Sequence, residues 1–243
     1  MSGHSKWATI KRQKGANDLR RGQAFTKLAN AITVAVRQGG NITDPDSNFR
    51  LRLAIESGRR ENMPKENIER AIARAAGKQD ANLEEVVYEG FGPGGFRVII
   101  EAFTDNKQRT VAEVKNIFDK NGGNMGSQGS VMYEFDRKGM LTVEKGDKTL
   151  DDVFLVAVEA GAENVEEEGE DVKIYTRPED LAKIRDFLIE KRLPVLNAEL
   201  IYKPINLITI SESEAALRAI AFVEKLEDLD DVQKVYANFD ILG

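Results

Sequence analysis

The sequence predicts an α+β protein of several domains, with an N-terminal three-helix domain and two ferredoxin-like α/β domains, one inserted into the other. Three observations lead to this fold class. Apolar residues recur at helical spacing before residue 78, short apolar runs alternate with helical segments after it, and residues 138–203 follow the order βαββαβ. A chain of 243 residues, 41% of them hydrophobic, is also long enough for two or three domains with buried cores.

The N-terminal part divides into an arm and a helical domain. Residues 1–22 are interpreted as a basic arm, because Trp7 and Ile10 stand among small, polar and cationic residues with no sustained helical period. Residues 23–80 then form the helical domain. Its three helices are predicted to begin at Gln23, Asp46 and Pro64.

The connection between the second and third helices, residues 61–63, has the length of a helix-turn-helix link. Many helical hairpins share this length. The third helix mixes cations with acids four residues apart, which is typical of a solvated face; these charged residues are Lys65, Glu66, Glu69, Arg70 and Arg74. We therefore favour a structural bundle over a helix that reads a DNA groove.

The α/β part is predicted to contain one continuous and one discontinuous domain. Residues 138–203 form the inserted domain of ferredoxin-like βαββαβ order. Residues 81–137 and 204–243 form the discontinuous domain around it. There, a strand–helix–strand unit over residues 95–135 would combine with another over residues 205–239 to complete a second βαββαβ sheet.

Three local assignments in the α/β part depend on short patterns. Residues 130–135 are predicted to form a strand, and Ser211 with Glu214 a capping box at the start of the last helix. The acidic clusters 166–168 and 227–231 are predicted to lie in turns, where surface carboxylates are favoured over a Mg²⁺ or Ca²⁺ site because an EF-hand spacing is missing.

The composition excludes several function classes. The chain has no cysteine and one histidine, so disulfides, structural zinc, haem and iron–sulfur centres are excluded, and Cys or Ser–His nucleophilic chemistry nearly so. The glycine-rich stretch 92–95 lies between strands and lacks the helix of a phosphate loop, so a hairpin turn is favoured. The stretch 122–129 has the GxxG spacing of a KH-domain loop, but a strand follows it, so a helix cap with a loop is favoured. We therefore expect no cofactor, no metal ion and no enzyme activity.

The net charge of −6 hides a strong polarity. Residues 1–80 carry 16 Lys+Arg and 8 Asp+Glu, whereas residues 81–243 carry 19 and 33. The first part is thus about +8 and the second about −14, a distribution that indicates a polyanion-binding end on an acidic body. A solvated arm that only improves solubility is the alternative.

The candidate binding residues lie in the arm and the first helix. Cations there can contact phosphates, and Trp7 can stack on an unpaired base or instead anchor the arm to its own bundle. His4 is equally suited to a phosphate and to a structural hydrogen bond. The candidate nucleic-acid contacts are His4, Lys6, Trp7, Lys11, Arg12, Lys14, Arg20, Arg21 and Lys27.

The string from Met1 to Lys11, Met-Ser-Gly-His-Ser-Lys-Trp-Ala-Thr-Ile-Lys, resembles the opening signature of the YebC/PmpR family. The resemblance spans essentially the whole chain. It continues through residues 51–56, 62–72, 88–95, 104–110, 122–124 and 231–236.

This resemblance implies a cytoplasmic, non-enzymatic protein with a helical domain and two α/β domains. Members are labelled probable DNA-binding transcriptional regulators, and relatives include a mitochondrial translational activator. The family's opening motif corresponds here to His4, Lys6, Trp7, Lys11 and Lys14. Two positions depart from the family pattern: residues 29–31, Ala-Asn-Ala, replace a Lys–Glu pair, and Gln108 replaces an asparagine.

The sequence therefore predicts a nucleic-acid-binding regulator of gene expression, with DNA as the target by the family label. A ribosome-associated translation factor that binds RNA is the alternative, and a protein–protein adaptor is the third possibility. The chain shows no hydrophobic stretch of signal-peptide or spanning type, so we expect a cytoplasmic protein without membrane contact. We also expect a monomer or weak dimer, with any protein partner bound on the acidic α/β domains.

Overall fold

The computed structural model describes residues 18–77 and 83–241, with side chains from residue 22 onward. It confirms the predicted α+β multidomain fold class. In chain order the elements are α1 (Asp18–Gln38), α2 (Phe49–Arg60), α3 (Lys65–Ala76), β1 (Glu84–Phe91), β2 (Arg97–Thr104), α4 (Lys107–Lys120), β3 (Asn124–Met125), β4 (Phe135–Glu144), α5 (Leu150–Ala160), β5 (Asn164–Glu168), β6 (Asp171–Thr176), α6 (Leu181–Glu190), β7 (Val195–Pro204), β8 (Ile208–Ile210), α7 (Ser213–Glu227), β9 (Val232–Ala237) and β10 (Phe239–Ile241).

The first three helices form a bundle around an aliphatic core, as their 3.6-residue periodicity requires. The buried side chains include Ile32, Val36, Leu51, Ile55 and Ile68. Helix α1 begins five residues before the predicted start. The prediction missed residues 18–22 because they carry no apolar periodicity that would mark them as helical.

The predicted N-cap of α2, Asp46, is wrong, because Asn48 caps this helix instead. The Asn48 Oδ1 accepts a hydrogen bond from the backbone N–H of Leu51 at 3.1 Å. Its amide nitrogen also donates to the backbone carbonyls of Ala35 and Ile42, both at 3.0 Å. A buried amide both accepts and donates, so it can cap the helix and hold the preceding loop at the same time, whereas the carboxylate of Asp46 has no N–H group to donate.

Residues 135–203 form a compact unit of their own. Its sheet has the order β5-β6-β4-β7, and β6 pairs antiparallel with both β4 and β5. This is the strand order of the predicted ferredoxin-like module. The acidic stretch 166–168 lies within β5, so its predicted placement in a turn is wrong.

The second compact unit contains the bundle and a sheet of order β3-β1-β2-β9. Strand β1 pairs antiparallel with both β2 and β3. It therefore lies between the two strands that helix α4 connects. Strand β9 pairs antiparallel with the other side of β2, with Val235 opposite Ile100. The predicted combination of residues 95–135 and 205–239 into a second βαββαβ sheet is therefore wrong, because β8 pairs with β10 in a separate two-stranded sheet and β1 occupies a central place in this one.

The predicted strand 130–135 is wrong. Residues Met132–Glu134 form a single 3₁₀ turn, and Phe135 already begins β4. The backbone N–H groups of Val131 and Met132 donate to the carboxylate of Glu89, at 2.8 and 2.9 Å, and are therefore not available to a strand ladder.

The predicted capping box at the start of α7 is also wrong. The N-cap is Glu212, and its side chain makes no capping hydrogen bond. Glu214 instead forms an ion pair with Arg218 one turn later, at 2.9 Å. The preceding Ser211 lies just after β8, which pairs in parallel with β10.

Helices α4 and α7 pack with β2 around an aromatic core. The rings of Phe118 and Phe222 meet edge to face with centroids 5.0 Å apart, and Phe96 lies 4.7 Å from Phe239. All four side chains are buried. Within residues 18–77 and 83–241, no helix is both long and apolar enough to cross a bilayer.

Candidate nucleic-acid interface

The structure places three of the nine predicted binding residues on helix α1. Arg20 and Arg21 lie near its N-terminal end, and Lys27 lies two turns further on. The side chains of the two arginines fall outside the described part of the molecule. The other six residues also lie outside it: His4, Lys6, Trp7, Lys11, Arg12 and Lys14.

Lys27 joins the bundle to the C-terminal end of helix α7. Its Nζ donates a hydrogen bond to the backbone carbonyl of Glu227. Nearby, the Gln23 amide donates to the carboxylate of Asp230 at 3.3 Å. The last carbonyls of a helix carry partial negative charge, so they favour a cation at this position. The ammonium of Lys27 therefore has a structural role, and its contact with nucleic acid stays a prediction.

A second set of polar contacts joins the bundle to strand β1. The Glu85 carboxylate accepts hydrogen bonds from the Gln38 amide at 2.6 Å and from Arg50 at 3.2 Å. Arg50 also donates to the side-chain oxygen of Gln38. Arg37 donates to the backbone carbonyl of Leu83 at 3.2 Å. These two arginines hold the bundle on the sheet.

Arg52 supports the loop before α2. Its Nε and Nη2 donate to the backbone carbonyls of Pro45 and Asp46, both at 3.0 Å, and its guanidinium lies 5.9 Å from the Phe49 ring centroid. A guanidinium that satisfies two carbonyls has less capacity left for a phosphate.

Arg59 and Arg70 are the cations of the bundle that face solvent without an ion pair to any side chain within the described ranges. Sequence reasoning treated Arg70 as one member of a solvated set of i,i+4 pairs. On α3 the structure forms the exposed Lys65–Glu69 pair at 3.5 Å, but it forms none between Glu66 and Arg70. The sequence feature that points to these two arginines as candidate contacts is the excess of basic over acidic residues in residues 1–80.

The glycine-rich stretch 122–129 is held by a buried carboxylate. Glu89 is 2% exposed and accepts hydrogen bonds from the backbone N–H groups of Gly129, Val131 and Met132, at 2.6, 2.8 and 2.9 Å. The backbone carbonyl of Glu89 also accepts from Gly126 at 2.8 Å. The N–H groups of Gly126 and Gly129 are therefore engaged by Glu89 and are not available to a phosphate, which favours a structural turn here.

The acidic stretch 166–168 is neutralised by lysines. Its three glutamates form ion pairs of 2.5–2.7 Å; the pairs are Glu166 with Lys203, Glu167 with Lys145 and Glu168 with Lys173. Among the residues that the structure describes, no group of three or more His, Cys, Asp or Glu side chains is placed to hold a metal ion.

Asp231 organises a polar network at the N-terminus of α4. It accepts hydrogen bonds from the guanidinium of Arg109 at 2.8 Å and from the hydroxyl of Thr110 at 2.6 Å. The hydrogen bond and charge of Asp231 raise the pKa of Arg109. Burial, and then the Asp231 charge, raise the pKa of Tyr88. The network joins α4 to the turn before β9.

Comparison with known proteins agrees with this architecture. The family model for the N-terminal domain of the TACO1/YebC protein matches residues 5–78, and that for the second and third TACO1/YebC domains matches residues 83–239. The chain belongs to the TACO1/YebC family. The bundle thus corresponds to the N-terminal domain of the family, and the α/β part to its second and third domains.

Relatives of this TACO1/YebC protein cover nearly the whole chain. A "Probable transcriptional regulatory protein" from Chloroflexus aurantiacus is 54% identical over 99% of this chain and 96% of its own length. One with the same name from Finegoldia magna is 46% identical over 99% of both. The crystal structure of a conserved hypothetical protein, Aq1575 from Aquifex aeolicus, superposes with a TM-score of 0.89 at 43% identity over 98% of both chains.

Proposed function

We propose that this protein is a non-enzymatic, cytoplasmic regulator of gene expression that binds nucleic acid through its basic N-terminal arm and the helical bundle. One observation carries the proposal, namely the separation of charge along the chain. Residues 1–80 contain 16 cations and 8 acids, whereas residues 81–243 contain 19 cations and 33 acids. Phosphate contacts made by such an end supply affinity that does not depend on base sequence.

The contacts made by the bundle reduce the number of cations that are available to bind nucleic acid. Arg37, Arg50 and Arg52 hold loops or the sheet, and Lys27 binds the end of α7. The arm, Arg59 on α2 and Arg70 on α3 remain as the cations with capacity for phosphate. The acidic α/β part repels the same polyanion, so it orients the protein and limits binding to one end.

Replacing Lys11, Arg12 and Lys14 together by Ala tests the arm. We expect weaker binding to every duplex sequence, and a salt dependence of log K that falls by about one for each phosphate that the arm no longer neutralises. The measurement is fluorescence anisotropy of labelled duplex DNA over a range of salt concentrations.

A matched control removes three exposed lysines from the acidic part, Lys115, Lys148 and Lys183, by substitution to Ala. Both triple variants lose the same charge. If the salt slope of the arm variant stays at the wild-type value, or if the control lowers it equally, the arm is not the binding site.

The names of the relatives favour DNA as the target, and RNA at the ribosome is the alternative that the same charge serves. Sedimentation of the untagged protein in lysate, with and without DNase, separates them. Association with nucleic acid that DNase abolishes supports the DNA-binding regulator. Co-sedimentation with ribosomes that survives DNase supports the translation factor, and retention by neither polyanion at physiological salt supports an adaptor.

A further inference from the structure

Helices α1 and α3 border a cleft of about 260 Å³ on the outer side of the bundle. Its lining includes an apolar part, here called the floor, made of the half-buried ring of Phe25 and the buried Met63 side chain. The lining also contains the half-buried amides of Asn30 and Asn67 and the exposed guanidinium of Arg70. Apolar surface, amide groups and a cation therefore occur together in one concave site.

The charge of the cleft has one sign. Arg70 and Arg74, one turn apart on α3, both line it, and among the nine described residues of its lining no side chain is a carboxylate. The acids of the same helix, Glu66 and Glu69, lie outside the lining. A ligand that fits this pattern presents an anion beside a flat, weakly polar body.

We propose that this cleft binds one unpaired nucleotide of a single-stranded nucleic acid, with its phosphate on Arg70 and its base on the floor between the two amides. The inference rests on the proposed function and names the form of nucleic acid that the bundle takes. Base recognition outside a duplex uses stacking on side chains, amide hydrogen bonds and a guanidinium at the backbone.

The size of the cleft is sufficient for one nucleobase. Sites for whole small molecules measure about 300–1,000 Å³. At about 260 Å³ the cleft suits a single ring with its phosphate outside. A base stacked within a duplex cannot enter such a concavity unless it is first extruded. Binding here therefore selects single strands, or unpaired positions in folded RNA.

The test compares a labelled ten-nucleotide single strand with the duplex of the same sequence, using the full chain and fluorescence anisotropy. We expect Arg70→Gln to weaken single-strand binding about tenfold and to lower its salt slope by about 0.7. Asn67→Ala should weaken single-strand binding about threefold without a change in slope, because it removes a neutral hydrogen bond. Neither change should affect duplex binding to the same degree.

Arg59→Gln is the matched control, because it removes an exposed cation from the same bundle at a position outside the cleft. It should change single-strand and duplex binding by equal factors. If Arg70→Gln and Asn67→Ala alter the ratio of the two affinities no more than Arg59→Gln does, the cleft is not the site, and the arm-based function stands. If the wild-type chain binds neither probe, both proposals fail.

A Glu-rich peptide distinguishes a nucleotide site from a site for an acidic protein segment. The nucleotide assignment is overturned if this peptide, at matched charge, displaces the single strand and if Arg70→Gln weakens peptide binding as much as it weakens single-strand binding. Absence of displacement supports it.

Discussion

The buried carboxylate of Glu89 offers the sharpest prediction about the fold. In Glu89→Gln one of the two side-chain oxygens becomes an NH₂ group. In the wild-type chain, the Oε1 atom of Glu89 accepts a hydrogen bond from Gly129, and Oε2 accepts from both Val131 and Met132. An amide keeps only one of these acceptors, so at least one backbone N–H loses its partner and faces another donor.

The magnitude follows from these contacts. Three bonds to a charged acceptor, at roughly 1.5–3 kcal/mol each, are replaced by at most two neutral ones, at roughly 0.5–1.5 kcal/mol each. The variant avoids burying a charge, which offsets part of the difference. We expect the free energy of unfolding to fall by about 2–4 kcal/mol.

The assay is urea unfolding followed by circular dichroism, together with hydrogen exchange of residues 126–134. Exchange should accelerate first at the three amides that Glu89 holds. Glu113→Gln, an exposed position on α4, serves as the control and should change stability by less than about 0.5 kcal/mol. Unchanged unfolding and unchanged exchange in Glu89→Gln would refute the role given to this carboxylate.

Three further predictions concern other contacts. Asp231→Asn weakens the network at the start of α4, and calorimetry should show a loss of about 1–3 kcal/mol in unfolding free energy. Gly90→Ala places a Cβ 2.5 Å from the buried ring of Phe118, and chemical unfolding should show a loss of about 1–3 kcal/mol from overpacking. In the capping box of α5, the Thr149 hydroxyl lowers the pKa of Asp152 below its usual 3.8. That stabilisation is complete above pH 3.8 and disappears as the pH falls through the lower folded-state pKa, so the stability difference between wild type and Thr149→Ala should shrink in acid unfolding measurements.

Each of these has a matched control on the same chain. Asp119→Asn removes an exposed acid from α4, and Asp151→Asn removes an acid beside the capping box. In Gly77→Ala the nearest atoms to the new Cβ lie at 3.6 Å, an ordinary contact distance. Effects of equal size in test and control would contradict the contact that the prediction invokes.

Local patterns in the sequence were sufficient for the helices and for the type of fold. The i,i+4 pair of Lys65 with Glu69 depends on neighbours about one turn apart, and the structure contains it. The same reasoning failed for the capping box at Ser211, because Glu214 found an equally local alternative partner. Short-range signals compete with one another, and the sequence does not reveal which of them prevails.

Much of the candidate interface depended on contacts between distant residues. Arg50 and Arg70 are both helical arginines of the basic part. Arg50 has a structural role because it donates to the carboxylate of Glu85, 35 residues later, and Arg70 does not make this contact. Glu89 acquires its three donors from residues 40 to 43 positions later. Neither separation corresponds to a helical or strand period, so periodicity could not identify these partners.

The sequence by itself determined the helices of the bundle, the class of the fold, the family and the charge polarity, because each depends on residue identity or on spacing within a few positions. Only the tertiary structure decided that β1 lies between β2 and β3, that the glycine-rich loop encloses a carboxylate, and that α1 and α3 form a cleft beside Arg70. These features require chain segments to meet across tens of residues. Which segments meet is decided by the packing of the whole core rather than by any local pattern.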